Sequence, residues 1–327
     1  MKDLLRIADL SSQDLKRLLV LAGEFKYNPH RHHRLLRGES VVCYFAKPST
    51  RTRVAFETAI ARLGGVPIAV GPAEVQLGRG ETIEDTARVL SRMAQAIVIR
   101  TFADDDVRRL AQAATVPVIN ALTDGHHPTQ ALADLFTMKE RFLRLRQLRV
   151  AYLGAGNNVA HSLMEACALV GAELAVATPD GYQPEPEVTV QARERAERHG
   201  GHLRLTGDPV AAVTGADVVY SDVWLSMGDL ESERATRTAA LHPYQVNAEL
   251  MGHASPDAVF LHCLPAHRGE EVTAEVIDGP QSLVFDQAEN RLHTAQAVLF
   301  ALVSGLLHGA GHDQPETFRE LIGEVLR

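Results

Sequence analysis

Short runs rich in β-branched residues alternate with longer amphipathic segments, and this alternation occurs in each half of the chain. Such a pattern is typical of βαβ units built around a parallel sheet. In the first half it predicts strands at 41–46, 67–70, 96–100 and 117–120, and helices at 52–63, 83–93 and 129 to about 145. In the second half it predicts strands at 149–153, 173–177, 217–220, 259–263 and 282–285, a helix at 158–170, and helical sequence over 295–326 with a glycine-rich break at 305–311.

The repetition predicts an α/β fold with two doubly wound parallel-sheet domains linked by helices. The length of 327 residues agrees with this, since one domain has roughly 100–200 residues. We expect the first domain to cover 1–145 and the second to cover 146–299. A C-terminal helix at about 300–327 is expected to pack back on the first domain.

The charge balance argues against polyanionic partners. The chain has 33 Lys and Arg against 41 Asp and Glu, which gives a formal net charge of −8. A negative protein has no overall positive field to attract nucleic acid or anionic lipid, so neither is expected as a partner. An anionic substrate therefore requires a local cluster of arginines and backbone N–H groups.

Cysteine usage and the hydrophobic segments indicate a cytoplasmic protein. The three cysteines are widely spaced and form no CxxC pair, which argues against a disulfide framework or a structural zinc site. The first residues include an early acid and no apolar run typical of a secretory signal. The longest apolar stretch, 297–307, is well short of the ~20 residues that span a bilayer.

The sharpest local signal is a group of hydroxyl and guanidinium side chains at the start of a predicted helix. The strand at 41–46 leads into Ser49, Thr50, Arg51 and Thr52. A helix start offers free N–H groups and the positive end of the helix dipole, and planar arginines add paired donors. The combination predicts a phosphate site. The alternative is a capped helix with arginines on the surface.

Two further polar positions follow strands of the first half. Arg100 ends the strand at 96–100, at the edge of the sheet where ligands bind in α/β folds. His127 precedes a predicted helix and is suited to donate to a carbonyl oxygen that gains charge, and Gln130 is suited to bind an amide. A surface arginine and a solvent-exposed loop histidine are the alternatives.

The second half adds groups suited to an amino-acid substrate. Asp222 follows a strand and is suited to bind an ammonium group. Cys263 lies between His262 and His267 in a segment that follows another strand, and it is open to four interpretations: nucleophile, metal ligand, soft polar contact or inert buried thiol. The grouping lacks four ligands at zinc-site spacing, so no metal is expected.

A glycine turn supports a competing function. Residues 154–160 follow a strand and come close to the dinucleotide-binding fingerprint, with Asp180 further along. However, Val159 replaces the third glycine, and Asn157 and Asn158 crowd the turn. An NAD-dependent dehydrogenase is therefore the alternative, and a tight strand-to-helix turn with two polar asparagines is favoured.

Taken together, these motifs resemble the aspartate/ornithine transcarbamylase family. They occur in family order and cover almost the whole chain: STRTR at 49–53, GRGETIEDTARVLSRM at 78–93, HPTQ at 127–130, GNN at 156–158, DVWLSMG at 222–228, HCLPAHRGEEV at 262–272 and FDQAENRLHTAQAVL at 285–299. One departure is Ala155, where the family usually has an acid. The SMG and HCLP elements are similar to those of members that act on ornithine.

The resemblance implies transfer of the carbamoyl group of carbamoyl phosphate to the side-chain amine of L-ornithine. Direct attack through a tetrahedral intermediate would give L-citrulline and phosphate, without a metal or organic cofactor, within arginine metabolism. The first domain would bind carbamoyl phosphate and the second would bind ornithine. Another amine, such as putrescine or an acylated ornithine, is the alternative acceptor.

The resemblance also implies roles for individual residues. Arg51, Arg100, His127 and Cys263 would be catalytic. Carbamoyl phosphate would be bound by Ser49, Thr50, Arg51, Thr52, Gln76, Arg100, His127, Pro128, Thr129, Gln130, Cys263, Leu264 and Arg291, and ornithine by Asn158, Asp222, Ser226 and Met227. Because Gln76 would reach into a neighbouring subunit's site, a homotrimer or a multiple of trimers with shared active sites is implied.

Overall fold

The computed structural model describes residues 1–77, 80–225 and 231–307, which form two parallel sheets covered by helices. The first sheet has the strand order β2-β1-β3-β4, with β1 at Ser40–Phe45, β2 at Val66–Val70, β3 at Ala96–Arg100 and β4 at Val118–Leu122. The second has the order β7-β6-β5-β8-β9, with β5 at Arg149–Leu153, β6 at Glu173–Ala177, β7 at His202–Thr206, β8 at Val218–Ser221 and β9 at Val259–His262. Two doubly wound α/β units are thus confirmed.

Helices connect successive strands, as parallel pairing requires. They are α1 (Ser12–Tyr27), α2 (Thr50–Arg62), α3 (Ile83–Leu90), α4 (Asp104–Ala113), α5 (Pro128–Phe142), α6 (Asn158–Val170), α7 (Pro186–His199), α8 (Pro209–Val213), α9 (Arg234–Leu241), α10 (Ala248–Met251), α11 (Ala274–Ile277) and α12 (Val284–Val303). Helix α5 ends at Phe142, and the next residue, Leu143, takes a left-handed conformation, so the helix stops short of the predicted end near 145. No helix in the described ranges is long and apolar enough to cross a membrane.

The central strands are buried because both faces are covered by helices. All five residues of β3 are buried, as are all four residues of β8 and of β9. Strand β2 lies at an edge, and its Val66 and Ile68 are exposed. The sequence has continuous apolar runs at the central strands, and these runs make the positions of the strands predictable.

The strand predicted at 282–285 is wrong. Only Ser282 forms a bridge, to Phe260, and helix α12 begins at Val284, well before the predicted start at 295. The run Ser-Leu-Val-Phe has the β-branched and aromatic composition of a strand, but Phe285 is exposed. Tertiary packing therefore overrides the local preference.

Helix α12 joins the two halves of the molecule. It follows the second sheet in the chain, yet it packs against α1, α2 and α5 of the first half. Leu306 and Leu307 continue into the same buried cluster. The predicted C-terminal helix at about 300–327 lies outside the described residues from 308 onwards, so its packing stays a prediction for that segment.

Candidate active site

A cavity of about 610 Å³ lies where the carboxyl ends of strands from both sheets meet. In open α/β sheets this edge is the usual place for a ligand, because loops and helix N-termini converge there. The side chains that line it come from both halves of the chain: Lys47, Pro48, Ser49, Thr50, Arg51, Thr52, Arg100, Phe102, Leu122, Asp124, His127, Gln130, Asn158, Val159, Asp222, Val223, Cys263, Leu264, Pro265 and Arg291.

The N-terminus of α2 forms one wall of the cavity. Ser49 caps this helix, because its Oγ accepts from the N–H of Thr52 at 3.3 Å. The remaining N–H groups of the first turn and the helix dipole create a positive end. Since Thr50 and Arg51 also line the cavity, this wall is suited to bind an anion.

Three arginines converge on the same cavity. Arg100 and Arg291 are almost completely buried. Burial lowers the pKa of each to about 10, and for Arg100 the nearby charge of Arg291 adds to this effect. Burial also lowers the pKa of Arg51. All three stay charged at neutral pH, so a dianion such as phosphate is the complementary ligand.

Arg291 connects three helices at the base of the cavity. Its guanidinium on α12 donates to Gln130 Oε1, to Thr52 Oγ1 at 3.0 Å and to Thr129 Oγ1 at 3.3 Å. The planar fork of arginine holds several acceptors in fixed directions. Arg291 therefore aligns α2 and α5, the two helices whose first turns face the cavity.

His127 is held as a neutral hydrogen-bond donor. Its backbone N–H donates to Ser162 Oγ at 2.7 Å, and its ring Nδ1 lies 3.4 Å from Thr129 Oγ1. The Thr129 hydroxyl, which accepts from Arg291, is placed to donate its own hydrogen to Nδ1, and that arrangement requires the proton of the neutral ring on Nε2. Burial, together with the charges of Arg291 and Arg100, holds the pKa of His127 well below its usual value.

Asp222 and Cys263 form the opposite wall. The Cys263 thiol donates to Asp222 Oδ1 at 2.9 Å, and Asn157 Nδ2 donates to Asp222 Oδ2 at 2.7 Å. Burial and the charge of Asp222 raise the pKa of Cys263 well above its usual value. The sulfur is therefore a protonated thiol, which favours a polar contact over a nucleophile.

The donor set around Cys263 is engaged within the protein. Asp222, His262 and Cys263 bring one potential ligand atom each within 4.8 Å of one another. However, His262 Nδ1 accepts from the N–H of Leu264 at 2.9 Å, its Nε2 faces the buried Glu271 Oε1 at 3.3 Å, and the thiol keeps its hydrogen. A metal would require a thiolate and a free imidazole nitrogen, so this arrangement is poorly suited to one.

Both halves of the chain match families of known chemistry. Residues 2–140 match the carbamoyl-P binding domain of aspartate/ornithine carbamoyltransferase, and residues 146–302 match the Asp/Orn binding domain. The chain belongs to the aspartate/ornithine carbamoyltransferase family. This confirms the family that the motifs indicate.

Relatives of the carbamoyltransferase family match over nearly the full length. The ornithine carbamoyltransferase of Carboxydothermus hydrogenoformans is 53% identical over 92% of this chain and 97% of its own. That of Bacillus subtilis is 53% identical over 92% and 94%. The solved structure of ornithine carbamoyltransferase from Pyrococcus furiosus is 51% identical, with a TM-score of 0.89 over 95% of this chain and 98% of that one.

The glycine turn does not have the space that a dinucleotide needs. A side chain at Gly156 would lie 2.1 Å from the backbone nitrogen of Pro184, so the backbone of Gln183 and Pro184 occupies the approach to the turn. Asn157 caps α6 by accepting from the N–H groups of Val159 and Ala160. The tight turn with polar asparagines thus fits the carbamoyltransferase fold, and the dehydrogenase alternative is not favoured.

The structure brings most of the predicted site residues together, with five exceptions. Gln76 is exposed and lies beside a separate apolar cavity near Ile68 and Val89. Pro128 starts α5 without lining the cavity. Ser226 and Met227 lie outside the described residues. Thr129 does not line the cavity, but its Oγ1 accepts from Arg291, which does.

Several site residues are not apparent from the sequence alone. Asn157, the first asparagine of the pair, binds Asp222, whereas Asn158 Nδ2 donates to Thr123 O at 2.6 Å. Lys47 is buried, pairs with Asp124 and lies 4.5 Å from the centre of the Phe102 ring. The carbamoyltransferase motifs include both asparagines, but only the fold shows which of them faces Asp222.

Proposed function

We propose that this chain transfers the carbamoyl group of carbamoyl phosphate to the side-chain amine of L-ornithine, giving L-citrulline and phosphate. The observation that carries the proposal is a single cavity with three arginines and a helix N-terminus on one wall and Asp222 on the other. The first wall is complementary to a phosphate dianion and the second to an ammonium group. Relatives about half identical to this chain are named ornithine carbamoyltransferases.

The phosphate of carbamoyl phosphate would bind at the start of α2. Ser49, Thr50, Arg51 and Thr52 supply hydroxyl, guanidinium and N–H donors there, and Arg100 approaches from the end of β3. Charge-assisted hydrogen bonds of this kind are about twice as strong as neutral ones. Because Arg100 is almost completely buried, its interaction with the phosphate would be weakened little by water.

The carbamoyl group would lie against the start of α5. His127, with its proton on Nε2, would donate to the carbonyl oxygen, and Gln130 would bind the amide. When the amine attacks, this oxygen becomes an oxyanion, and donors placed in advance stabilise it without reorganisation. A neutral His127 keeps this donor over the whole pH range in which the amine can react.

Ornithine would bind against the second sheet. Asp222 is proposed to bind the α-ammonium group and Asn158 the carboxylate, since both residues line the cavity. Ser226 and Met227, from the segment that follows Trp224, are proposed to complete the pocket. Such a pocket would favour a free α-amino acid over an acylated or decarboxylated amine.

The reacting amine must lose a proton before it attacks. An alkyl ammonium has a pKa near ~10.4, so only about one in a thousand is neutral near pH 7.4, equivalent to roughly 4 kcal/mol. Burial beside Cys263 and the positive charges of Arg51, Arg100 and Arg291 would disfavour the ammonium form. The departing phosphate is able to take up the proton, so no protein base is required.

The assembly, domain roles and location are part of the same proposal. Residues 1–145 would form the carbamoyl-phosphate domain and 146–299 the ornithine domain, in a homotrimer or a multiple of trimers with Gln76 reaching a neighbouring site. The exposed apolar Ile68 and Val89, which line the same cavity as Gln76, support association there. Three unpaired cysteines support a reducing, cytoplasmic location. The proposed reaction, from ornithine to citrulline, supports a role in arginine metabolism.

The test is citrulline formation by the purified protein with carbamoyl phosphate and ornithine in the presence of EDTA. We expect turnover that Arg51→Ala reduces strongly. Binding of carbamoyl phosphate, followed as a rise in melting temperature, should be weakened by the same substitution. Absence of citrulline from a folded, carbamoyl-phosphate-binding protein would contradict the proposed acceptor.

A further inference from the structure

A buried carboxylate lies directly beneath the cavity and has no part in the proposed chemistry. Asp134 is on α5, one helical turn after Gln130, and its residue exposure is 0%. Burial raises the pKa of Asp134 to about 6, against the lowering effect of hydrogen bonds from Gln287 and Gln130 and of the Arg291 charge. The group is therefore mostly ionised at neutral pH and presents only acceptors.

The same carboxylate oxygen accepts from two glutamine side chains. Gln130 Nε2 donates to Asp134 Oδ1 at 2.8 Å, and Gln287 Nε2 donates to it at 2.7 Å. An ionised carboxylate accepts hydrogen bonds and donates none, so both amides must turn their NH₂ groups toward it. Among the described residues, Asp134 Oδ2 has no hydrogen-bond partner.

Each glutamine, oriented in this way, forms a second hydrogen bond through its Oε1 atom, and the two bonds lead to different walls of the cavity. With its NH₂ on Asp134, Gln130 directs Oε1 to the guanidinium of Arg291. With its NH₂ shared between Asp134 and Tyr220 Oη, Gln287 directs Oε1 to the N–H of His262 at 2.9 Å. His262 is the last residue of β9 and immediately precedes Cys263. One contact thus reaches the carbamoyl-phosphate wall, formed by the starts of α2 and α5 with their arginines. The other reaches the ornithine wall, formed by Asp222 and Cys263.

We infer that Asp134 is a positioning residue: it fixes the amide orientation of Gln130 and Gln287 and thereby sets the relative placement of the two substrate walls. This inference rests on the proposed carbamoyl transfer. Asp134 itself does not line the cavity, so it acts only through these neighbours. Its loss would leave the buried NH₂ of Gln130 without an acceptor and that of Gln287 with Tyr220 Oη alone, so the orientation of both amides would be less strongly fixed.

Two substitutions of Asp134 distinguish its role as a hydrogen-bond acceptor from its negative charge. Asp134→Asn keeps an oxygen at the Oδ1 position, where both glutamines donate, and places its NH₂ at the Oδ2 position. Asp134→Leu removes the acceptor at similar volume. We expect D134L to lower kcat/KM for both substrates by roughly 10–100-fold, since a small misplacement of reacting groups has effects of this size. D134N should stay within about fivefold of wild type.

A matched control and a second variant make the test independent of folding problems. Thr137→Val is the matched control. It alters another buried polar residue of α5, whose Oγ1 accepts from Asn290 at 3.0 Å, and it should lower the melting temperature without changing kcat.

The second variant is Gln287→Met, which leaves the hydrogen bond from Gln130 to Asp134 but removes the contact with the His262 N–H. It should raise the KM for ornithine or lower kcat while the affinity for carbamoyl phosphate is unchanged.

The results distinguish this inference from the proposed function. If wild type forms no citrulline, the proposed function fails. If wild type is active, a folded D134L with kcat/KM within twofold of wild type overturns the positioning role. Equal losses in D134N and D134L overturn it as well, because the acceptor geometry would then be irrelevant. If D134L does not fold, the positioning role is overturned by a large loss of kcat/KM in D134N. It is also overturned if Q287M has wild-type kinetics.

Discussion

The Sγ of Cys263 lies 2.9 Å from Oδ1 of Asp222, and the thiol donates its hydrogen to the carboxylate. Burial and this neighbouring charge raise the pKa of Cys263 well above its usual value. A thiolate at this position would repel the carboxylate that is proposed to bind the substrate ammonium. The cysteine is therefore expected to order the ornithine wall rather than to attack the carbamoyl carbon.

Replacing Cys263 should reduce turnover without abolishing it. Cys263→Ser keeps a donor for Asp222 and should retain most of the activity, whereas Cys263→Ala should lose about tenfold, comparable to one hydrogen bond to a charged group. The measurement is steady-state kcat and the KM for ornithine. Complete loss of turnover in C263S, with both substrates still bound, would point to a covalent role.

Arg51 should be more important than Cys263. Arg51→Ala removes a half-buried cation from the wall proposed to bind phosphate and should lower kcat/KM for carbamoyl phosphate by ~10²–10³, as is typical for the loss of one donor to developing charge. Arg53, in the same motif, is largely exposed and pairs with Glu57 at 2.7 Å. Arg53→Ala is the matched control and should stay within about threefold. Equal effects of the two substitutions would contradict the assignment.

Thr129 should control the tautomer of His127. Thr129→Val removes the hydroxyl that donates to Nδ1, so the neutral ring is free to move its proton away from Nε2. We expect kcat to fall about tenfold. Thr129→Ser retains the hydroxyl and should remain near wild type. The ¹⁵N shifts of the His127 ring report the tautomer directly, and a proton on Nδ1 in wild type would refute this explanation.

A second histidine connects the two halves of the molecule behind the site. His126 Nδ1 lies 3.1 Å from Asp104 Oδ1, and its Nε2 lies 3.5 Å from Glu165 Oε1, a contact in ion-pair range without hydrogen-bond alignment. Arg6 also binds Glu165, and the His161 ring lies 6.0 Å away. Burial acts to lower the pKa of His126, but the two carboxylates outweigh it and raise the pKa to about 8.

Stability should therefore depend on pH through His126. A pKa raised in the folded state favours folding, and this stabilisation is complete below about pH 6.5 and is lost as the pH rises through about 8. The difference is equivalent to about 2 kcal/mol. Urea unfolding between pH 6 and 9 should show this decline in wild type and a flatter profile in His126→Asn. The exposed His253→Asn is the control, and an unchanged slope in H126N would count against the assignment.

The sequence predicts the central elements and the family correctly for physical reasons. The strands at 96–100, 149–153 and 173–177 agree with β3, β5 and β6 because they are apolar runs flanked by polar residues. The start of α12 is missed because buried polar residues, Gln287 and Arg291 among them, interrupt the apolar periodicity of its first turns.

Long-range polar contacts are what the sequence does not reveal. Arg291 binds Thr52 across 239 positions, and Gln287 binds Asp134 across 153. Local patterns carry no information about such pairs until the fold brings them together. The four-residue spacing of Gln130 and Asp134 is a local signal of contact on one helix face, but their link to the second wall is visible only in three dimensions.

Acceptor specificity is the decisive property of the proposed carbamoyl transfer. Purified protein with carbamoyl phosphate should be supplied with ornithine, putrescine, N-acetylornithine or aspartate, with no metal or cofactor added, and the carbamoylated products quantified. We expect rapid turnover with ornithine alone, because Asp222 and Asn158 are suited to a free α-amino acid. Faster turnover with putrescine or N-acetylornithine would contradict the assignment of the ornithine wall, and no turnover with any of the four would contradict carbamoyl transfer itself.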